Sequence, residues 1–108
     1  MGTTKFQHNM RTVGQVRLYK QAYPNGTFVK FHKKWCNHPA EHYLYWMVME
    51  FNDVTNRYKI GLVGYELIGR VMGSTEVVSA DMIYQPKGQV TDQVIETAMQ
   101  KYSQVIGI

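Results

Sequence analysis

Seven side chains around one turn have the types and spacing to grip a polyanion. Arg17, Tyr19 and Tyr23 stand before Asn25-Gly26, and Phe28, Lys30, His32 and Lys34 follow it. Cationic side chains track the phosphates of single-stranded nucleic acid, and aromatic rings stack its bases at about 1–3 kcal/mol per base. A spacing of two places residues of an extended strand on one face, so each set presents a single basic and aromatic side. The same pattern also describes a solvated strand face, where rings support cross-strand pairs and lysines keep an edge soluble.

A second group is His32, Cys36, His38 and His42, spaced His-x3-Cys-x-His-x3-His. These are zinc-ligand types in the number a tetrahedral site takes, with Glu41 as a spare oxygen donor, although the spacing fits no zinc-finger or zinc-ribbon pattern. The competing reading is a set of surface histidines around a small buried cysteine. Cys36 and His38 also have the types of a nucleophile and its base, without a third group to orient them. A third group, Tyr43, Tyr45, Trp46, Met47, Met49 and Phe51, combines the residue types enriched at protein interfaces. It is either core or a partner surface, with Arg57 and Lys59 beside it.

Motifs for catalysis are missing. There is no phosphate-binding Gly-x-x-x-x-Gly-Lys-Ser/Thr loop, no Gly-x-Gly-x-x-Gly and no Gly-x-Ser-x-Gly elbow. No acid stands two positions before a lysine, as metal-dependent nucleases commonly require. The sequence therefore names no catalytic residue and favours binding over an enzymatic role.

The elements that must position these groups follow from periodicity. Asn25-Gly26 predicts a type I′ hairpin turn joining Val13–Ala22 to Thr27–Trp35. In that register Val16, Leu18, Ala22, Val29, Phe31 and Trp35 form the core face, and the basic and aromatic residues form the other. Gly26-Thr27-Phe28-Val29-Lys30-Phe31 resembles the end of the RNA-recognition-motif pattern over those six residues. The helix which that pattern needs between its strands is missing, so the chain is not assigned to the family.

A second hairpin is predicted over His42–Phe51 and Arg57–Val63. Leu44, Trp46 and Val48 share a face with Tyr58, Ile60 and Leu62, while Tyr43, Tyr45, Met47, Met49 and Phe51 share the other with Arg57 and Lys59. Gly64–Gly73 reads equally as strand or short helix. Glu76–Tyr84 reads as one further strand. Thr91 or Asp92 caps a helix to about Ile106, with Val94, Ile95, Ala98, Met99, Tyr102, Val105 and Ile106 on one face. The fold class is α+β: a loose arm over residues 1–12, then one domain over 13–108. That domain is an antiparallel sheet of about four to six strands with an amphipathic C-terminal helix packed on one face.

Composition narrows the partner. The 108 residues carry 12 Lys+Arg and 8 Asp+Glu, a formal charge of +4. Up to position 40 there are seven basic residues and no acid, hence +7, and from 41 onward five basic and eight acidic residues give −3. Such asymmetry points to a surface for an anionic partner. The longest apolar run, Tyr43 to Met49, is far short of the roughly 20 residues of a membrane span. A single cysteine excludes an internal disulfide and suggests a reducing, cytoplasmic setting. The expectation is a small non-catalytic protein that binds single-stranded nucleic acid or another polyanion, with no cofactor. The alternatives are an inhibitor or adaptor docking its basic face on an acidic protein, and a zinc-binding protein or hydrolase. The apolar cluster leaves a homodimer open.

Overall fold

The computed structural model describes residues 10–11, 15–64 and 74–107. Short strands β1 (Met10–Arg11) and β2 (Gln15–Val16) pair with each other. The main antiparallel sheet comprises β3 (Phe28–Phe31), β4 (Tyr45–Asn52), β5 (Arg57–Val63), β6 (Thr75–Ser79) and β7 (Ile83–Tyr84). Its spatial order is β6-β5-β4-β3-β7, and helix α1 (Asp92–Ile106) follows. This is the α+β class that the periodicities predict. No helix among the described residues is long and apolar enough to cross a membrane.

The β4–β5 hairpin forms as predicted, with Trp46 opposite Leu62 and Val48 opposite Ile60. Its loop is set by Asn52, whose Oδ1 accepts from the N–H groups of Val54 and Thr55, and by Asn56 at φ 59°. One correction concerns parity. A bulge at Met49, between Val48 and Glu50, sets two residues against Lys59. It moves Phe51 onto the face of Tyr58, with ring centroids 4.7 Å apart. A second is that the strand starts at Tyr45, because Pro39–Tyr43 forms a 3₁₀ turn.

The hairpin predicted around Asn25-Gly26 does not form. A type I′ turn needs positive φ at both central residues. Gly26 has it, at 92°, and Asn25 does not. The resulting turn, with Thr27 N–H donating to the Pro24 carbonyl, sends the chain elsewhere. Gly26 N–H donates to the Val48 carbonyl and Val48 N–H to Thr27, so the chain after the turn pairs with β4. Residues 17–27 contain no strand. They run past the far end of the β4–β5 hairpin, where Tyr19 N–H donates to the Asp53 carbonyl and Ala22 N–H to Tyr58 Oη at 2.7 Å. Of the core face drawn from that register, Val29 is buried and Phe31 packs against the core. Leu18 is 54% and Trp35 43% exposed, and Ala22 is exposed too. The side chain of Val16 lies outside the described residues, as does most of Gly64–Gly73.

The strand predicted over Glu76–Tyr84 breaks in two. Residues Ala80–Met82 form a 3₁₀ turn, β6 pairs with β5, and β7 pairs with β3 on the opposite edge. Laid flat, the edges of five strands would stand roughly 19 Å apart. Ser79 and Ile83 are four Cα steps apart, a reach of at most about 14 Å. The sheet must therefore curl until its edges nearly meet. Its concave face carries Val29, Trp46, Val48, Tyr58, Ile60, Val78 and Ile83, all buried. The convex face carries Lys30, Tyr45, Met47, Lys59, Val77 and Tyr84, none of them buried.

Helix α1 appears at its predicted position. Thr91 Oγ1 accepts from Val94 N–H at 3.2 Å, and Gly107 closes the helix at φ 83°. Ile95 and Met99 dock on Gly64, a buried glycine at φ 129°. The predicted apolar face holds at Ile95, Ala98 and Met99 and gives out at Val105, which is exposed.

Candidate nucleic-acid interface

The convex face of β3 presents Phe28 and Lys30 side by side. Lys30 lies opposite Tyr84 of β7, and its Nζ sits 4.7 Å from the centroid of Tyr45 on β4. A cation thus stands between two tyrosines in one row across three strands. The row continues at both ends. His32 stacks on Tyr84 with centroids 4.8 Å apart, and His42 lies 6.4 Å from the same ring. Lys101 of α1 reaches over Tyr43, 6.0 Å from its centroid.

Two concavities flank this row. A groove of about 330 Å³ runs between Lys30, Tyr43 and Tyr45 and the helix residues Thr97, Ala98 and Lys101. A cavity of about 510 Å³ is lined by Lys33, Cys36, Pro39, His42 and Tyr43. Tyr43 is common to both. Lys34 extends the surface from the 3₁₀ turn Lys33–Trp35, with its Nζ 5.8 Å from the Trp35 centroid.

Burial and neighbouring charge shift the ionisation of this group. Burial lowers the Lys30 pKa, with partial relief from the Cys36 side chain. Burial and then Lys30 lower His42, against a hydrogen bond it donates to the Phe31 backbone; Lys33 and His32 push the same way as Lys30. His42 Nδ1 is buried without a hydrogen-bond partner among the described residues. Burial raises the Cys36 thiol and Glu41 raises it further, so at neutral pH it is protonated and a poor nucleophile.

The residues singled out in the sequence separate into two places. Lys30, His32 and Lys34 join the row and its margin. Arg17, Tyr19 and Tyr23 belong to the segment at the far end of the β4–β5 hairpin, where Tyr23 packs on Tyr58 with centroids 5.7 Å apart. Phe28 lies opposite Met47, half-buried against the core. Arg57 pairs with Asn52, and Lys59 with Glu50 and Val77. Seven residues of β4 put Asn52 roughly 23 Å from Tyr45. Tyr43 is exposed, Tyr45 and Met47 are half-buried, and Met49 is exposed at the bulge.

The histidine–cysteine group is drawn on differently by each member. His38 Nδ1 accepts from Ala40 N–H at 3.0 Å and caps the Pro39 turn. Cys36 Sγ donates to the His32 carbonyl at 3.7 Å. Among the described residues no three His, Cys, Asp or Glu side chains are grouped as metal ligands.

Sequence reasoning missed Tyr84 and Lys101. Nothing local marks Tyr84, since it enters through pairing with a strand more than 50 positions earlier. Lys101 was legible only as the polar side of the amphipathic helix. Comparison with known proteins matches the chain to no family, no curated protein and no solved structure.

Proposed function

We propose that this protein binds single-stranded nucleic acid, without catalysis, along the Tyr45–Lys30–Tyr84 row. The observation that carries the reading is the alternation of cations and rings: Lys30 between two tyrosines, with Lys101 over Tyr43 and Lys34 over Trp35 at the margins. Single strands need that combination, because cationic side chains displace counterions from the phosphates while bases stack on rings. The flanking groove and cavity give bases room beside the row.

Fluorescence anisotropy with a labelled random oligonucleotide tests this. Affinity should fall steeply with salt, and removing one phosphate contact by Lys30→Ala should flatten the log–log salt slope by about 0.7. Tyr45→Ala should weaken binding by about 1–3 kcal/mol without changing that slope. Full-strength binding after both substitutions would sink the site. The same lysines suit an acidic protein partner. A pull-down from native lysate with and without nuclease separates the two, since an acidic protein retained after nuclease treatment favours docking on protein.

A further inference from the structure

The mouth of the curled sheet holds a second cavity, of about 470 Å³, with a lining unlike the basic row. Phe31, Trp35 and Trp46 supply rings, and Glu41 and Glu76 supply carboxylates. Glu76 pairs with Ile60, which places an acid in the inward-facing row of β6 where packing calls for an apolar residue. Glu41 is held in place by accepting from Asn37 N–H at 3.0 Å. Trp46 is 7% exposed, packs edge-on against Phe31 at 5.4 Å, and its indole N–H has no partner among the described residues. The cavity thus offers stacking surface and carboxylate acceptors.

We infer that this cavity takes a single guanine base presented by the bound strand. Guanine carries two adjacent N–H donors, N1–H and the N2 amino group, beside the O6 acceptor. The two donors complement the paired oxygens of one carboxylate. Adenine and cytosine present one amino donor beside a ring acceptor, and uracil or thymine one N–H between two carbonyls, so each leaves part of the lining unpaired. Unstacked bases of single strands are read in this way, by stacking and by their Watson–Crick edges. Trp35 follows Lys33 and Lys34 directly, so a strand held by those lysines has its next base within reach of the cavity.

The inference rests on the nucleic-acid reading and is tested apart from it. Both tryptophans of the chain line this cavity, so tryptophan emission reports its occupancy. GMP should quench emission saturably and bind about tenfold more tightly than AMP, CMP or UMP. The preference should fall below about twofold in Glu41→Gln/Glu76→Gln, with the far-UV helix signal as the control for folding. Glu76→Gln alone, at an exposed edge position, should remove most of it in a protein whose fold is unaltered. Equal affinity for the four nucleotides, or a guanine preference that survives the double substitution, overturns the assignment. Short oligothymidine, with and without one central guanine, separates the two readings. Salt-sensitive, Lys30-dependent binding of both at equal strength overturns the pocket alone. GMP quenching with neither oligomer bound overturns the strand-binding row alone.

Discussion

Gly64 is the joint on which the helix side of the groove depends, and Gly64→Ala measures how tightly that joint is made. A Cβ built there would lie 2.7 Å from Met99 Cγ and 3.1 Å from both Ile95 Cγ2 and Met99 Sδ. These are side chains of the two buried residues that anchor α1, so neither can swing into solvent. Overpacking of this kind costs about 1–3 kcal/mol. A φ of 129° adds roughly 1–3 kcal/mol for any residue with a side chain. The sum is about 4 kcal/mol, with about 2 as a floor. Urea unfolding followed by far-UV circular dichroism reads it. With m near 1.5 kcal/mol/M, the midpoint should drop by about 2.7 M at constant m. Adding Met99→Ala removes the closest clash, so the double variant should be less unstable than the sum of the single costs by about 1–2 kcal/mol. A midpoint shift under about 0.5 M, or strict additivity, would refute the close contact between helix and sheet.

Three further outcomes are expected. Burial and the neighbouring Lys30 hold His42 below the ordinary histidine value of 6.5. As pH falls through 6.5 the unfolded chain takes up a proton that the folded chain resists, so the melting temperature should decline on acidification until folded His42 itself titrates. His42→Gln should flatten that decline, and an unchanged slope would remove His42 from the account. Thr91→Ala deletes the acceptor for Val94 N–H and should cost about 1 kcal/mol, read as a lower melting temperature by about 5 °C. Lys101→Ala should weaken oligonucleotide binding and its salt dependence as Lys30→Ala does, while Lys59→Ala at the far end of the hairpin should leave both unchanged; equal effects would move the binding surface to the whole convex face.

What the sequence reveals here is local. The β4–β5 hairpin and α1 are legible because strict alternation and the 3.6-residue repeat each fix a face within a single element. Alternation fails at Met49, since a bulge leaves no mark on composition but inverts every later position, and so Phe51 lies inward. Asn25-Gly26 misleads for a related reason: the dipeptide permits a type I′ turn and does not require one. Once Asn25 keeps negative φ, the register that put Arg17, Tyr19 and Tyr23 beside Lys30 is gone. The charge asymmetry survives in part, because Lys30, Lys33 and Lys34 stay at the basic surface while Arg17 does not. Pairing of Lys30 with Tyr84 depends on how far the sheet curls, and no window of adjacent residues encodes that.

The 3₁₀ turn Ala80–Met82 makes that curl, and it ties the two sites together. Before it, β6 places Glu76 at the concave mouth, in the cavity that Trp46 and Phe31 also line. After it, β7 places Tyr84 on the convex face, beside Lys30 and His32. One short run of chain thus delivers a carboxylate to the inner cavity and a ring to the outer row, from opposite edges of the same sheet. A flat sheet would hold those edges roughly 19 Å apart, too far for three residues to bridge. Lengthening the turn by two glycines would release that constraint while substituting no residue of either site. If curl is what assembles them, the insertion should weaken oligonucleotide binding and GMP quenching together. If the row and the cavity are independent of it, both signals should persist at full strength.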